Sequence, residues 1–191
     1  MATINKITKL TDKRFVNLYQ ADGVNSKGYE SHYLIASRSE SVEGLKMNSS
    51  LTRPDAVAIY AVCDDKVVLV RQYRYPINGW IYEFPAGLVE DGEDYHDTAI
   101  RELKEETGLT ADDWTCLGLF YPAAAYCDEV ITMYLARGLH KGTQELDDDE
   151  FLDVHRIPLV RLVEDIMEGK VPDAKTQTAV LKAARILGCL S

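Results

Sequence analysis

Long apolar runs are missing from this sequence, and no stretch offers the roughly 20 mostly apolar residues that a membrane-spanning helix needs. The opening MATINKITKLTDKRF also lacks the apolar core of a signal peptide. Cysteine is sparse: Cys63, Cys116, Cys127 and Cys189 are scattered without C-x-x-C spacing. That argues against a zinc site or redox pair and for reduced, buried thiols. Positive charge is short too. The net charge is −10, and no basic stripe serves a phosphate backbone, so non-specific nucleic-acid binding is excluded. His32, His96, His140 and His155 form no cluster and carry no expected role. These absences predict a cytoplasmic protein with no nucleic-acid partner and no membrane. At 191 residues and 46% hydrophobic, the chain can bury a core as one large domain, or as one domain with a small appendage.

Acid is abundant, and it is ordered. Residues 87–109 read GLVEDGEDYHDTAIRELKEETGL. A helix over about Tyr95–Glu106 sets Glu102, Glu105 and Glu106 at i, i+3 and i+4, on one face. Like charges so placed repel, and a hard cation with its preference for oxygen ligands is the natural neutraliser. Ala99, Ile100 and Leu103 fall on the adjoining side, where they can pack against a sheet. Arg101, four residues before Glu105, can orient or buffer the cluster. Gly108 suits a left-handed helix stop, and Gly87 allows close backbone approach. A solvated acidic helix is the usual meaning of such a charge run.

The complete spacing says otherwise. It resembles the Nudix box, G-x5-E-x7-R-E-U-x-E-E-x-G-U with U a bulky aliphatic residue. Gly87, Glu93, Arg101, Glu102, Leu103, Glu105, Glu106, Gly108 and Leu109 fill every specified position. A chance match at ordinary residue frequencies is on the order of one in a million. The resemblance implies hydrolysis of a nucleoside diphosphate linked to another moiety, with Mg²⁺ or Mn²⁺ as cofactor.

Outside the box, four stretches resemble the ADP-ribose pyrophosphatase branch: Val70–Pro76, Tyr82–Gly87, Asp149–Val154 and Asp173–Thr176. One stretch departs. Where that branch has a Ser-Pro-Gly-like loop, this chain reads Tyr121-Pro122-Ala123-Ala124-Ala125-Tyr126-Cys127-Asp128-Glu129. The loop lies near the distal sugar in the family, so a GDP-mannose or UDP-glucose type of substrate stands as the alternative to ADP-ribose. A third reading, from another class, is a Nudix-fold sensor that binds a nucleotide without cleaving it; the full glutamate set argues against it.

The expected elements are strands at Phe15–Tyr19 and Tyr29–Ala36 around a turn at Asp22–Gly28, then a polar link over Arg38–Thr52. An antiparallel pair follows, Val57–Val62 and Lys66–Tyr73, turning at Asp64-Asp65. Further strands are expected at Trp80–Phe84, Trp114–Tyr121, Val130–Ala136 and Phe151–Ile157. Two helices close the chain, about Pro158–Glu168 and Asp173–Leu187. This order implies an α+β sandwich with a mixed sheet. The resemblance makes it the Nudix αβα sandwich, residues 54–191, preceded by a β-rich leader, residues 1–53, that builds a homodimer.

The resemblance also distributes roles. Glu102 and Glu106 are the primary metal ligands, Glu105 shares or orients a metal, and the Ala86 carbonyl is a further ligand. Glu93 supports the helix or the site, and helix-terminus charge stabilisation explains it equally well. The catalytic base is a carboxylate on the acidic loop, Glu150 first and Asp148 second. Arg71, Arg74 and Glu83 are substrate-binding candidates. The two arginines are three apart on one strand and so face opposite sides; one is expected to touch substrate while the other pairs structurally. Tyr29, Tyr33 and Trp80 are candidates to stack on a base, although packing alone explains such aromatics more often.

Overall fold

The computed structural model describes residues 3–49, 51–146 and 151–187. Asp148 and Glu150 lie outside the described residues. By packing, the chain divides into two units, residues 1–55 with 120–131, and residues 56–119 with 132–191. Among the described residues no helix is long and apolar enough to cross a membrane.

The first unit is built on a three-stranded antiparallel meander: β1 (Thr3–Lys9), β2 (Asn17–Val24) and β3 (Glu30–Ser37). β1 has no counterpart in the sequence reading, because its apolar residues Ile4 and Ile7 are three apart and break the strand period. An irregularity between Ile4 and Lys6 repairs this: Ile4 faces Gly23 and Ile7 faces Ala21, two apart on β2, which returns both to one side. The expected turn at Asp22–Gly28 is shorter than predicted. β2 runs through Asp22-Gly23 to Val24, and only Asn25–Tyr29 turns. Gly23 belongs in the strand because a Cβ there would lie 2.2 Å from the Thr3 carbonyl oxygen.

The stretch Arg38–Thr52 is more than a polar link. It buries Leu45 and Lys46, and the Lys46 ammonium pairs with Asp55 at 2.7 Å. The Pro122–Glu129 loop also belongs to this unit. The Ala36 N–H donates to the Tyr126 carbonyl (2.7 Å), Arg38 donates to Glu129 (2.7 Å), and the Lys46 N–H donates to the Asp128 carboxylate (3.1 Å). An apolar-lined cavity of about 610 Å³ opens among Tyr33, Leu34, Leu45, Met47, Ala124 and Tyr126.

The second unit holds β4 (Ala56–Cys63), β5 (Lys66–Arg74), β6 (Gly79–Glu83), β7 (Ala86–Leu88), β8 (Leu109–Phe120), β9 (Ile131–Lys141) and β10 (Leu152–Pro158), except that Phe120 of β8 and Ile131 of β9 fall in the first. They form one sheet in the order β10-β5-β4-β9-β8, with β6 beside β5 and β7 beside β4. Three helices complete it: α1 (Tyr95–Thr107), α2 (Leu159–Met167) and α3 (Ala174–Ile186). The result is the expected α+β sandwich.

β4 shows why. All of Ala56–Val62 is buried, as in a central strand covered on both faces, and the strand contacts both α1 and α3. Val57, Ile59 and Ala61 pack with Ala99 and Leu103 of α1. On alternate positions, Tyr60 meets Phe84 with ring centroids 4.8 Å apart. Ile100 corrects the reading of α1: it is partly exposed, and only Ala99 and Leu103 of the expected trio are in the core. The β4–β5 hairpin turns at Asp64, which takes a left-handed φ of 55°, next to Asp65 as expected.

Candidate active site

α1 is fixed at both ends. The Asp94 carboxylate accepts from the His96 N–H at 2.8 Å, a side-chain cap that satisfies a donor of the first turn. At the other end Gly108 takes φ 67° and its N–H donates to the Lys104 carbonyl. Between these caps, Leu103 and Ala99 anchor the apolar side and the glutamates line another.

Arg101 is the hub of that acidic face. Its guanidinium donates to both oxygens of Glu93 (2.9 and 3.0 Å), to Glu102 (2.8 Å), to Glu105 (2.9 Å) and to the Leu88 carbonyl (3.1 Å). The Arg101 bonds hold the Glu93 carboxyl down at about 2, against the opposing effect of burial. The same partners hold the guanidinium charge well above its ordinary range. Glu93 thus supports Glu102 and Glu105 through a shared arginine, and Arg101 itself is occupied by protein groups.

The Ala86–Leu88 strand lies against this face. The Ala86 N–H donates to Glu106 at 3.1 Å. Gly87 is required here because a Cβ would stand 1.9 Å from the Glu102 carboxylate oxygen. Glu106 is 2% exposed and Glu102 8% exposed, so both carboxylates sit in a shielded setting. Ala86, Glu102, Glu105 and Glu106 are therefore brought together.

A second charged group lies behind the same strand. Glu83, 1% exposed, takes a bidentate pair from Arg74 (2.7 and 2.9 Å) and a bond from the Lys175 ammonium (2.8 Å). Lys175 also donates to Asp173 at 2.8 Å. Burial works against the charge on Arg74 and on Lys175, but the carboxylates around each outweigh it and hold both above their ordinary values. Arg71 takes a different partner and lies over the Trp80 ring at 4.9 Å, while Trp80 meets Tyr73 edge-on. Tyr29 and Tyr33 are exposed residues of the first unit, at and on β3. The sequence reading had no signal for Lys175 as a partner of Glu83, which lies 92 residues away.

The backbone leading toward Asp147 is tied to the end of α1. The Gln144 side-chain amide donates to the Glu106 carbonyl (2.6 Å) and the Glu145 backbone N–H to the Glu105 carbonyl (3.0 Å).

The NUDIX domain pattern matches residues 52–177. The chain belongs to the NUDIX family. It is 41% identical over 130 residues to the ADP-ribose pyrophosphatase of Bacillus subtilis (strain 168), covering 66% of this chain and 70% of that protein. It is 42% identical over 130 residues to the methanol dehydrogenase activator of Bacillus methanolicus, with the same 66% and 70% coverage. Its fold superposes on a crystal structure of an ADP compounds hydrolase with a TM-score of 0.78 and 27% identity, covering 98% of this chain and 94% of that one. It is a NUDIX diphosphatase, of a family whose members typically use divalent metals.

This chain's donor set suits such an ion. The oxygens of Glu102, Glu105, Glu106 and the Ala86 carbonyl are hard ligands. Three of the four glutamates Glu93, Glu102, Glu105 and Glu106 share one arginine. Among the described residues no three Asp, Glu, His or Cys side chains already converge as a cage; Arg101 and the Ala86 N–H occupy part of the carboxylate capacity.

Proposed function

We propose that the protein hydrolyses the diphosphate of ADP-ribose to AMP and ribose 5-phosphate, with Mg²⁺ as its ion and Mn²⁺ as a substitute. The observation that carries this is the excess of carboxylate over guanidinium beside the Ala86–Gly87 backbone, in a NUDIX chain similar to an ADP-ribose pyrophosphatase. Glu102, Glu106 and the Ala86 carbonyl would hold the cation, with Glu105 sharing or orienting it. When bound, the ion supplies electrostatic stabilisation of diphosphate charge and a more acidic water. Arg101 spaces the carboxylates and spreads their repulsion. Arg71 uses the face of its guanidinium on Trp80, which leaves its N–H edges for phosphate or ribose oxygens. Arg74 is committed on two nitrogens to Glu83, so its contribution to substrate is smaller. Tyr29, Tyr33 and Trp80 keep their role as candidate base-stacking partners. Glu150, with Asp148 second, is the proposed base; the hold of Gln144 and Glu145 on the end of α1 supports an acidic loop that starts near the glutamates.

The Ala123-Ala124-Ala125 loop keeps a nucleoside-diphosphate sugar of the GDP-mannose or UDP-glucose type as the second reading. Equal similarity to a methanol dehydrogenase activator shows that relatives this close carry different names. A panel of ADP-ribose, GDP-mannose and UDP-glucose, with products identified by chromatography, tests the assignment. ADP-ribose should give AMP only when Mg²⁺ or Mn²⁺ is present; a higher kcat/KM for either sugar nucleotide would reject it.

The same proposal includes a homodimer formed through the first unit. Ile4, Phe15, Tyr29, Tyr33, Leu34 and Tyr126 are all exposed there and supply apolar surface that a second copy would cover. A cytoplasmic location fits the free thiols, though Cys63 and Cys116 are exposed and Cys127 half-buried, not buried as the sequence reading expected. Light scattering of the full chain should give twice the 21.5 kDa chain mass; a monomer at micromolar concentration would remove the dimer from the proposal.

A further inference from the structure

The start of α3 is tied twice to the peptide that precedes the cation-binding backbone. Glu83 is held by Lys175, and Lys175 by Asp173. Asp173 also caps α3, its other oxygen accepting from the N–H and the hydroxyl of Thr176, both at 2.8 Å. The Thr176 hydroxyl oxygen then accepts the Phe84 N–H at 3.2 Å. Thr176 is fully buried, and so is Phe84. From Phe84 the backbone continues directly through Pro85, whose carbonyl accepts from the Ile59 N–H (2.8 Å), to Ala86, whose N–H meets Glu106, and to Gly87, against which the Glu102 carboxylate rests.

We propose that the Asp173–Thr176 cap is a positioning device for the cation site. Thr176 is its key member: it sets the Phe84 peptide and through it the Ala86–Gly87 backbone against Glu102 and Glu106. The proposal rests on the reading that these residues hold a divalent cation. The physical reason is leverage. Gly87 has no side chain to lock it, and Ala86 has only a methyl. Their placement comes from the strand pairing on one side and from the residues just before them on the other. A buried N–H that loses its acceptor either stays unsatisfied or shifts to find another, and a shift at Phe84 moves the Ala86 carbonyl. Groups that orient metal ligands without touching the metal change affinity strongly for this reason.

Thr176→Val keeps the shape and removes both hydroxyl bonds; Thr176→Ser keeps them. The readout is the dissociation constant for Mn²⁺ alone, measured by electron paramagnetic resonance on the substrate-free protein. Leu162→Ala, in a buried position of α2, serves as a control for lost stability. Thr176→Val should bind Mn²⁺ about tenfold more weakly, with Thr176→Ser close to wild type and Leu162→Ala unchanged. The activity readout should match: a higher Mg²⁺ requirement, with KM for the nucleotide unchanged at saturating Mg²⁺. If Thr176→Val is less heat-stable yet binds Mn²⁺ as tightly as wild type, the cap is structural only. Equal weakening in Leu162→Ala overturns the proposal as well. Absence of Mn²⁺ binding by the wild-type protein would instead overturn the cation-site reading beneath it, and the positioning role with it.

Discussion

Arg74 and Arg101 each sit among carboxylates, and the two groups are balanced differently. Around Glu83, two cations (Arg74, Lys175) meet two anions (Glu83, Asp173). Around Arg101, one cation meets three anions, Glu93, Glu102 and Glu105. The charges of the first group are matched one for one, which is how buried charge is tolerated, although Glu106 also acts on Arg74. The second has more carboxylates than cations among its ion pairs, and on the proposed reading that excess is what draws a cation. On that reading the difference separates scaffold from chemistry.

Neutralising a carboxylate in the balanced group should damage the fold. Glu83→Ala leaves Arg74 and Lys175 without their common partner, and breaking a buried pair costs about 3–5 kcal/mol. Arg74 is partly exposed and can recover some hydration, so the low end, about 3 kcal/mol, is expected in urea unfolding. A loss below about 1 kcal/mol, the level of a surface pair, would erase the contrast.

Neutralising a carboxylate of the proposed cation site should damage function instead. Glu106→Gln is expected to lower turnover at least about a hundredfold. In chelator its melting temperature should stay within a few degrees of wild type, because Gln keeps an oxygen that can accept the Ala86 N–H. Near-normal turnover at saturating Mg²⁺ would sink the ligand assignment. For the base, Glu150→Gln should lower kcat much more than it weakens substrate binding, since a base acts on the reaction step. If Asp148→Asn carries that effect and Glu150→Gln does not, the role belongs two residues earlier.

The smallest effect concerns pH. The Glu93 carboxyl is held at about 2 against an ordinary 4.5. A depressed carboxyl contributes stability above its unfolded value and loses it as pH falls toward the folded one. Acid unfolding of the wild type should therefore steepen between pH 4.5 and about 2, and Glu93→Gln should flatten that limb. Parallel curves would mean that Arg101 does not hold Glu93 in solution.

The acidic helix was legible almost to the residue, because its caps, period and carboxylate spacing are local. So was the β4–β5 hairpin. What escaped depends on distant partners. β1 hid behind an irregularity that sets its apolar residues three apart. Gly23 looked like a turn residue until β1 was laid beside it. Ile100 matched the helical face by spacing yet stays partly exposed. Neither Lys175 nor Thr176 announces that its partner is on β6 or just beyond it, since a pairing across 92 residues leaves no periodic trace.

The first unit is sewn from two separate pieces of chain, with Ala36 bonded to Tyr126 and Asp128, and Lys46 to Asp128. Synthesis runs from the N-terminus, so the meander leaves the ribosome long before the segment that completes it. It must wait, with Ala36 and Lys46 lacking their partners on Tyr126 and Asp128, while β4 to β8 are made. Non-local closure of this kind is slow and exposes apolar surface to other chains. Chaperone dependence during production should therefore track this unit and not the acidic helix.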